Sequence, residues 1–495
     1  MADYDVIVIG AGCGGLSAGA QLARQGRRVL VLEQSGRVGG CCSTFEKQGF
    51  HFDVGASLIE DAPLINLAFE RLGTRVWDEV DLIPCDPIYT VVLKDGTHVR
   101  YPASVRASAD EIRRLAPGDA DRWYDFVGYM EDFADSASCL FTSPTVTLAD
   151  MARIFARSPK LARFGPLFIS SYQDVLKRFF RDDRVRESLA YQTFFVGLPP
   201  ELAPGLFAII PYGEHNGLYY SKGGMIAIPV ALQRCGERFG MEVRLNTLVR
   251  RVLVRGGRAI GVVLADGTEI TTSVVVSNVN ARTLYLNMIG QEYLPWLARV
   301  GIKSYQYAFS IPMLYVGVDY TPPLGSHHTL VTIPMEEMNR YWWSEYRQGR
   351  FDPQKQFGII SWTTHSDPAL APPGHHVLAF ILTPAPYHYP WDEAKPALTE
   401  QLIDYFTRYV PGLAHHVRVA ELSTPLDFER RLLVPEGTIY AFRQDITNQT
   451  VFRPAARSKS IRGLYLTGAS THPGGGVPTT IASGVIAADL VERYE

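Results

Sequence analysis

The chain has 495 residues, 46% of them hydrophobic, six cysteines and a formal net charge of -3. This is apolar material for a large core and more length than one domain usually takes, so two or three domains are predicted. The balanced charge excludes a nucleic-acid binder that works through basic patches. The spacing of Cys13, Cys41, Cys42, Cys85, Cys139 and Cys235 points to neither a zinc site nor a disulfide framework.

Residues 6–9 are a continuous apolar run, which predicts a strand buried on both faces of a parallel sheet. The strand begins too early for a signal peptide to precede it. No apolar run approaches the ~18 residues of a spanning helix. A soluble or peripheral protein of a reducing cytoplasm is expected. Gly10, Gly12 and Gly15 then form G-x-G-x-x-G. The first glycine allows a tight turn, the second lets backbone approach a pyrophosphate, and the third lets the next helix pack closely. That helix is predicted over 16–25 with Gly26 as its stop, followed by a strand over 29–32 ending at Glu33. The free N–H groups at the helix start favour a diphosphate, and Glu33 is placed to accept hydrogen bonds from a ribose diol.

The glycines alone leave NAD and FAD both open. Arg37, Gly39 and Gly40 follow as R-x-G-G, then Phe50-His51-Phe52-Asp53-Val54-Gly55. This layout resembles the superfamily of FAD-dependent amine oxidases and phytoene desaturases, in which the segment runs along the diphosphate toward the flavin. The adjacent Cys41 and Cys42 read as small buried residues of a tight turn rather than a redox pair.

Further on, 88–93 and 98–101 around Asp95-Gly96 predict a hairpin with a type I′ turn, the start of a second, substrate-facing sheet. From 110 to about 206 the pattern is helical. Within it, 161–180 reads as a helix with one broad apolar face edged by Lys160, Arg163, Lys177, Arg178 and Arg181. A packed helix with solvated cations is the leading reading; contact with an anionic membrane surface is the alternative. A helix over 228–239 and a strand over 242–245 follow. Residues 249–264 suggest a small antiparallel unit, and 273–277 a buried strand ending at Asn278. Aromatic segments at 311–318, 358–363 and 376–383 predict a mostly antiparallel sheet. Near the end stand Phe452-Arg453-Pro454 and the run 463–478, L-Y-L-T-G-A-S-T-H-P-G-G-G-V-P from Leu464, with the final helix starting near Thr479 or Thr480.

With these motifs at both ends and in the middle, the chain resembles the bacterial phytoene desaturases and the wider group of carotenoid desaturases, carotenoid isomerases and retinol saturases. The resemblance implies an α/β fold. A Rossmann-type FAD-binding domain would comprise 1–80, 215–290 and 455–495, an antiparallel-sheet substrate domain 81–109 and 291–454, and a helical insertion 110–214. Carried over by position, Gly10, Gly12, Cys13, Gly14, Gly15, Glu33, Gln34, Arg37, Gly39, Gly40, Val249, Gly468, Ala469, Gly476, Val477 and Pro478 would contact FAD, with backbone at Val249 holding the adenine. The implied substrate is an apolar polyene or isoprenoid, and no nucleic acid. The implied reaction passes hydride from an allylic C–H to flavin N5, followed by loss of a proton.

By the resemblance His472 lies near the ring and is a candidate proton acceptor, with a turn histidine that holds backbone as the equal alternative; Asp53, Tyr219 and Tyr220 stand behind it. Cys41-Cys42-Ser43-Thr44-Phe45 looks more like the saturase and isomerase branches, so isomerisation or saturation of a polyene stays open. Gly468-Ala469-Ser470 lacks the acid that amine oxidases usually carry there, which disfavours that activity. A non-catalytic isoprenoid carrier, as in the GDP-dissociation inhibitors, is the reading of another class.

Overall fold

The computed structural model describes residues 2–144 and 147–495. Met1, at the edge of the first predicted segment, and residues 145–146, within the predicted insertion, lie outside the described residues.

Along the first strands the apolar side chains alternate between two cores. Val6, Val8, Val29, Val31, Val274 and Val276 enter one, whereas Ile7, Ile9, Leu30, Leu32 and Val275 enter the other. An unbroken apolar run does this because successive side chains of a pleated strand point to opposite faces. At about 1.5–3 kcal/mol per fully buried aliphatic side chain, burial on both faces anchors these strands. The sheet order is Val249–Arg255, Arg258–Leu264, Glu269–Ser277, Tyr4–Ile9, Val29–Leu32, Glu242–Arg244, with Leu464–Leu466 also on Glu269–Ser277. Val6 stands opposite Val29 on one side and Val274 on the other, both in parallel register.

Residues 269–271 pair antiparallel with Arg258–Leu264, while later residues of the same strand pair parallel with Tyr4–Ile9. The unit predicted at 249–264 is therefore an extension of this sheet. The first helix, Cys13–Arg24, starts directly after Gly12, and the last, Val477–Tyr494, packs across it. Ser17 Oγ donates to the Ile481 carbonyl at 2.9 Å, and a Cβ on Gly484 would fall on the Gly14 carbonyl.

The second sheet runs Val417–Ser423, Met313–Val318, His376–Ile381, Gly358–Ser361, His328–Val331, Tyr89–Val92, His98–Tyr101. It is antiparallel except where His328–Val331 meets Tyr89–Val92. The hairpin turn differs from the predicted type I′. Leu93 and Thr97 close a three-residue loop in which Gly96 alone takes positive φ, at +83°. That is the type I turn with a left-handed glycine that such loops favour.

The predicted helix over 161–180 is three pieces. A 3-10 turn Pro159–Phe164 leads into Gly165–Ile169, and a new helix, Tyr172–Phe179, begins at Ser171. Ser171 and Asp174 form a capping box that starts the last piece afresh. Leu161, Phe164, Leu167, Tyr172, Val175, Leu176 and Phe180 are buried in the protein. The broad apolar face is therefore internal; Ile169, 80% exposed, is the large apolar side chain this segment shows to solvent. Among the described residues no helix is long and apolar enough to cross a membrane.

Candidate active site

The carboxyl ends of the parallel strands open onto a cavity of about 820 Å³. Ligands of open α/β sheets bind at this edge, and the volume falls within the ~300–1,000 Å³ usual for small-molecule sites. One end is walled by Gly10, Gly12, Cys13, Gly14, Glu33, Gln34, Arg37, Gly39, Gly40 and Val249. The turn Gly468-Ala469-Ser470 and the start of the last helix at Gly476, Val477 and Pro478 wall the middle. The far part is apolar and aromatic, with Tyr191, Phe194, Phe195, Ile311, Met313, Ile359, Ile381 and Tyr440.

Two helices begin on this cavity, and neither has a side chain capping its first N–H groups, because both caps, Gly12 and Gly476, are glycine. Those unpaired donors carry the positive end of each helix dipole and attract anionic or electron-rich groups. The glycines there, Gly12 and Gly14, are packed too closely for any side chain. A Cβ on Gly12 would lie 2.5 Å from the Asn278 amide nitrogen, and one on Gly14 2.9 Å from the Gly468 nitrogen. Asn278 touches Gly10, Gly12, Gly14, Gly15 and Gly468 from the end of its strand, so it locks the glycine loop to the distant C-terminal turn. The sequence marks Asn278 only as the end of a buried strand, and that place at the strand's carboxyl end is the signal for its role.

Glu33 is buried, and its carboxylate is partly occupied. Oε2 accepts from the Ala11 N–H at 2.8 Å, and Oε1 from the Ser35 N–H at 2.9 Å and its hydroxyl at 2.8 Å. A carboxylate offers about four acceptor positions, so capacity for one ligand hydroxyl remains on the cavity side. Arg453 of the F-R-P segment is another organiser. Its buried guanidinium donates to the carbonyls of Thr471, Arg443, Asn448, Phe442 and Ala469, tying residues 442–448 to the glycine turn. Burial lowers it to about 10, so it remains a cation at neutral pH.

The structure brings together the FAD-contact residues predicted from sequence, with one exception. Gly15 is off the cavity; a Cβ there would fall on the Gly10 carbonyl, so it serves the tight turn beneath the cradle. The proposed proton acceptor is also elsewhere. His472 is buried away from the cavity lining, and its Nε2 donates to the Leu140 carbonyl at 2.7 Å. Burial lowers it to about 4, so the ring is neutral, with Nε2 on backbone and Nδ1 buried without a partner among the described residues. Asp53 is likewise engaged, by the Tyr220 hydroxyl at 2.6 Å, the Met225 N–H at 2.8 Å and the Thr44 hydroxyl at 2.8 Å. Cys41 lines the cavity as a thiol that burial pushes up to about 12, and Cys42 is raised as well, which fits packing rather than redox chemistry.

The Flavin containing amine oxidoreductase family model matches residues 13–492. The chain belongs to that family. It is 30% identical to a neurosporene-forming phytoene desaturase of Rhodobacter capsulatus over 98% of this chain and 93% of that one. It is 29% identical to a zeta-carotene-forming phytoene desaturase of Myxococcus xanthus, covering 97% and 92% of the two chains. The crystal structure of an oxidoreductase from Methanosarcina mazei superposes with a TM-score of 0.64 at 17% identity, over 98% of this chain and 99% of that one. This flavoprotein of the carotenoid desaturase group is an FAD-dependent oxidoreductase with an α/β, Rossmann-type fold. The glycine cradle, the uncapped helix starts and the spare acceptor on Glu33 fit the dinucleotide half of FAD.

Proposed function

We propose that the protein desaturates a carotenoid or another long isoprenoid. The observation that carries this reading is the continuity of one cavity from the glycine cradle into an aromatic, aliphatic chamber. The names of the relatives, phytoene desaturases matched over nearly their whole length, support it and leave the carrier reading without support of its own. Gly10, Gly12, Cys13 and Gly14 take the diphosphate and Glu33 the ribose. Backbone at Val249 takes the adenine, and Gly476, Val477 and Pro478 lie at the flavin. When bound, FAD supplies a two-electron hydride acceptor. The chamber's side chains hold an extended polyene in register and keep water out.

The same reading assigns 1–80, 215–290 and 455–495 to FAD binding, 81–109 and 291–454 to the substrate, and 110–214 to an insertion. It places the protein in the cytoplasm, touching a membrane peripherally through exposed apolar residues of that insertion such as Leu148 and Ile169. Cys41 lines the cavity within the turn that resembles the saturase and isomerase branch, so polyene saturation or isomerisation by reduced flavin is the second reading. Anaerobic incubation of the holoprotein with phytoene separates them. Desaturation bleaches the flavin and yields a longer chromophore; absence of bleaching with phytoene and other polyenes overturns the leading reading.

A further inference from the structure

With His472 away from the cavity, the reaction lacks a proton acceptor. No histidine lines the cavity, and its carboxyls are Glu33, Glu46 and Glu60. Glu33 is held by three donors, and Glu46 is exposed and accepts from the Gly49 N–H at 2.8 Å. Glu60 differs: no N–H or O–H donor of the described residues reaches its buried Oε1, and its carboxyl meets that of Glu214. A buried carboxylate oxygen without a donor costs free energy, which a carboxyl proton shared with Glu214 relieves, while Glu60 itself lines the cavity. The lining stretch Gly55 to Leu58 leads to it, and its charge reaches Tyr440, which packs on Gly475 at the entry to the last helix.

Behind Glu60 stands a second buried carboxyl. Glu214, on the helix Ile209–His215, is 1% exposed and accepts from the Tyr89 hydroxyl of the second sheet. The groups facing the pair are Asp61 beside Glu60, and Tyr89, Gln192, Tyr172 and Tyr440; no cation acts on Glu60. Two carboxyls in such surroundings cannot both ionise, so they share a proton.

We propose that Glu60 takes the proton from the substrate and that Glu214 is a positioning residue which holds it by sharing one proton; the proposal rests on the desaturase reading. Burial and then the charge of Asp61 push Glu60 up to about 7, and burial and then the charge of Glu60 raise Glu214 as well. Near neutral pH the pair holds one proton and can take a second at Glu60, which lines the cavity, the match of base to working pH that proton transfer favours. The balance is complete. A hydride leaves one carbon for oxidised flavin and a proton leaves its neighbour for Glu60. The electron pair of the second C–H becomes the new π bond. The substrate has then lost two electrons, and Glu60 returns its proton to water.

Glu60→Gln tests this without changing shape. In the wild type, anaerobic flavin bleaching by phytoene is expected to speed up with pH and level off above about 7. The variant, at full FAD content, is expected to bleach about 100-fold more slowly and without that limb, with part of the rate restored in Glu60→Asp. Infrared titration of the unreacted protein gives the second readout: a carboxylic acid C=O band that titrates near neutral pH in the wild type and is missing in Glu60→Gln. A variant that bleaches like wild type with the same pH profile, or an unchanged infrared titration, overturns the proposal. If no polyene bleaches the wild type, the desaturase reading falls and the base role with it, whereas wild-type bleaching matched by the variant removes Glu60 alone.

Discussion

Glu33 does two things with one carboxylate. It pins the glycine loop through the Ala11 N–H and keeps one acceptor position toward the cavity. Charge-assisted hydrogen bonds of this kind are worth about 1.5–3 kcal/mol. Glu33→Ala is therefore expected to weaken FAD binding by about 10- to 100-fold with the far-ultraviolet circular dichroism unchanged, as measured by titrating apoprotein with FAD. Unchanged affinity would remove Glu33 from the ribose. Residue identity alone was enough to single out this acid, because the chemistry is local: a strand end, a glycine loop and an acid at fixed spacing. The base was not legible in the same way. Glu60 is an ordinary acid in a segment without a motif, and what marks it is the carboxyl of Glu214 brought against it by the fold.

At the scale of elements, the contact between the first and last helices builds the cradle. Gly484 lets the last helix meet the backbone of the first at the Gly14 carbonyl, where a Cβ would clash, and Ser17 bonds across to Ile481 at 2.9 Å. Gly484→Val is expected to force the helices apart, lowering stability by about 1–3 kcal/mol and weakening FAD binding, both read from thermal unfolding with and without added FAD. An unshifted midpoint would show that the helices can give way at no cost. The two helices were legible as elements from their glycines and apolar periodicity. The last was placed two to three residues late, since Val477-Pro478 opens the helix and proline is tolerated in a first turn. The segment 161–180 was not legible as a single element. Its spacing suits one amphipathic helix, but Gly165-Pro166 and the Ser171 capping box divide it, and each piece turns its apolar side inward.

At the scale of the whole molecule, burial sets how stability responds to acid. His328 and His472 are both buried, and burial lowers each to about 4. The unfolded chain takes up these protons first, near 6.5. The stability carried by each neutral ring is therefore whole above about 6.5 and is lost as pH falls toward about 4, by up to about 3 kcal/mol per ring. His472→Gln removes one such term, so its destabilisation relative to wild type should shrink between pH 6.5 and 4. A difference that stays constant over that range would mean that His472 is protonated in the folded state.

By itself, the sequence determined the nucleotide half of the site and its chemistry. G-x-G-x-x-G, Glu33 and R-x-G-G act through spacings of a few residues to a few tens, within which a strand, a turn and a helix dictate one geometry. The apolar runs likewise determined which strands are buried on both faces. Only the tertiary structure decided which side chains share the cavity. It turned His472 onto the Leu140 carbonyl, set Asn278 among five glycines, folded the apolar face of the insertion inward, and placed Glu60 against Glu214. The physical reason is the same in each case. Desolvation and hydrogen-bond partnership depend on groups distant in the chain, and those meet only when the core closes.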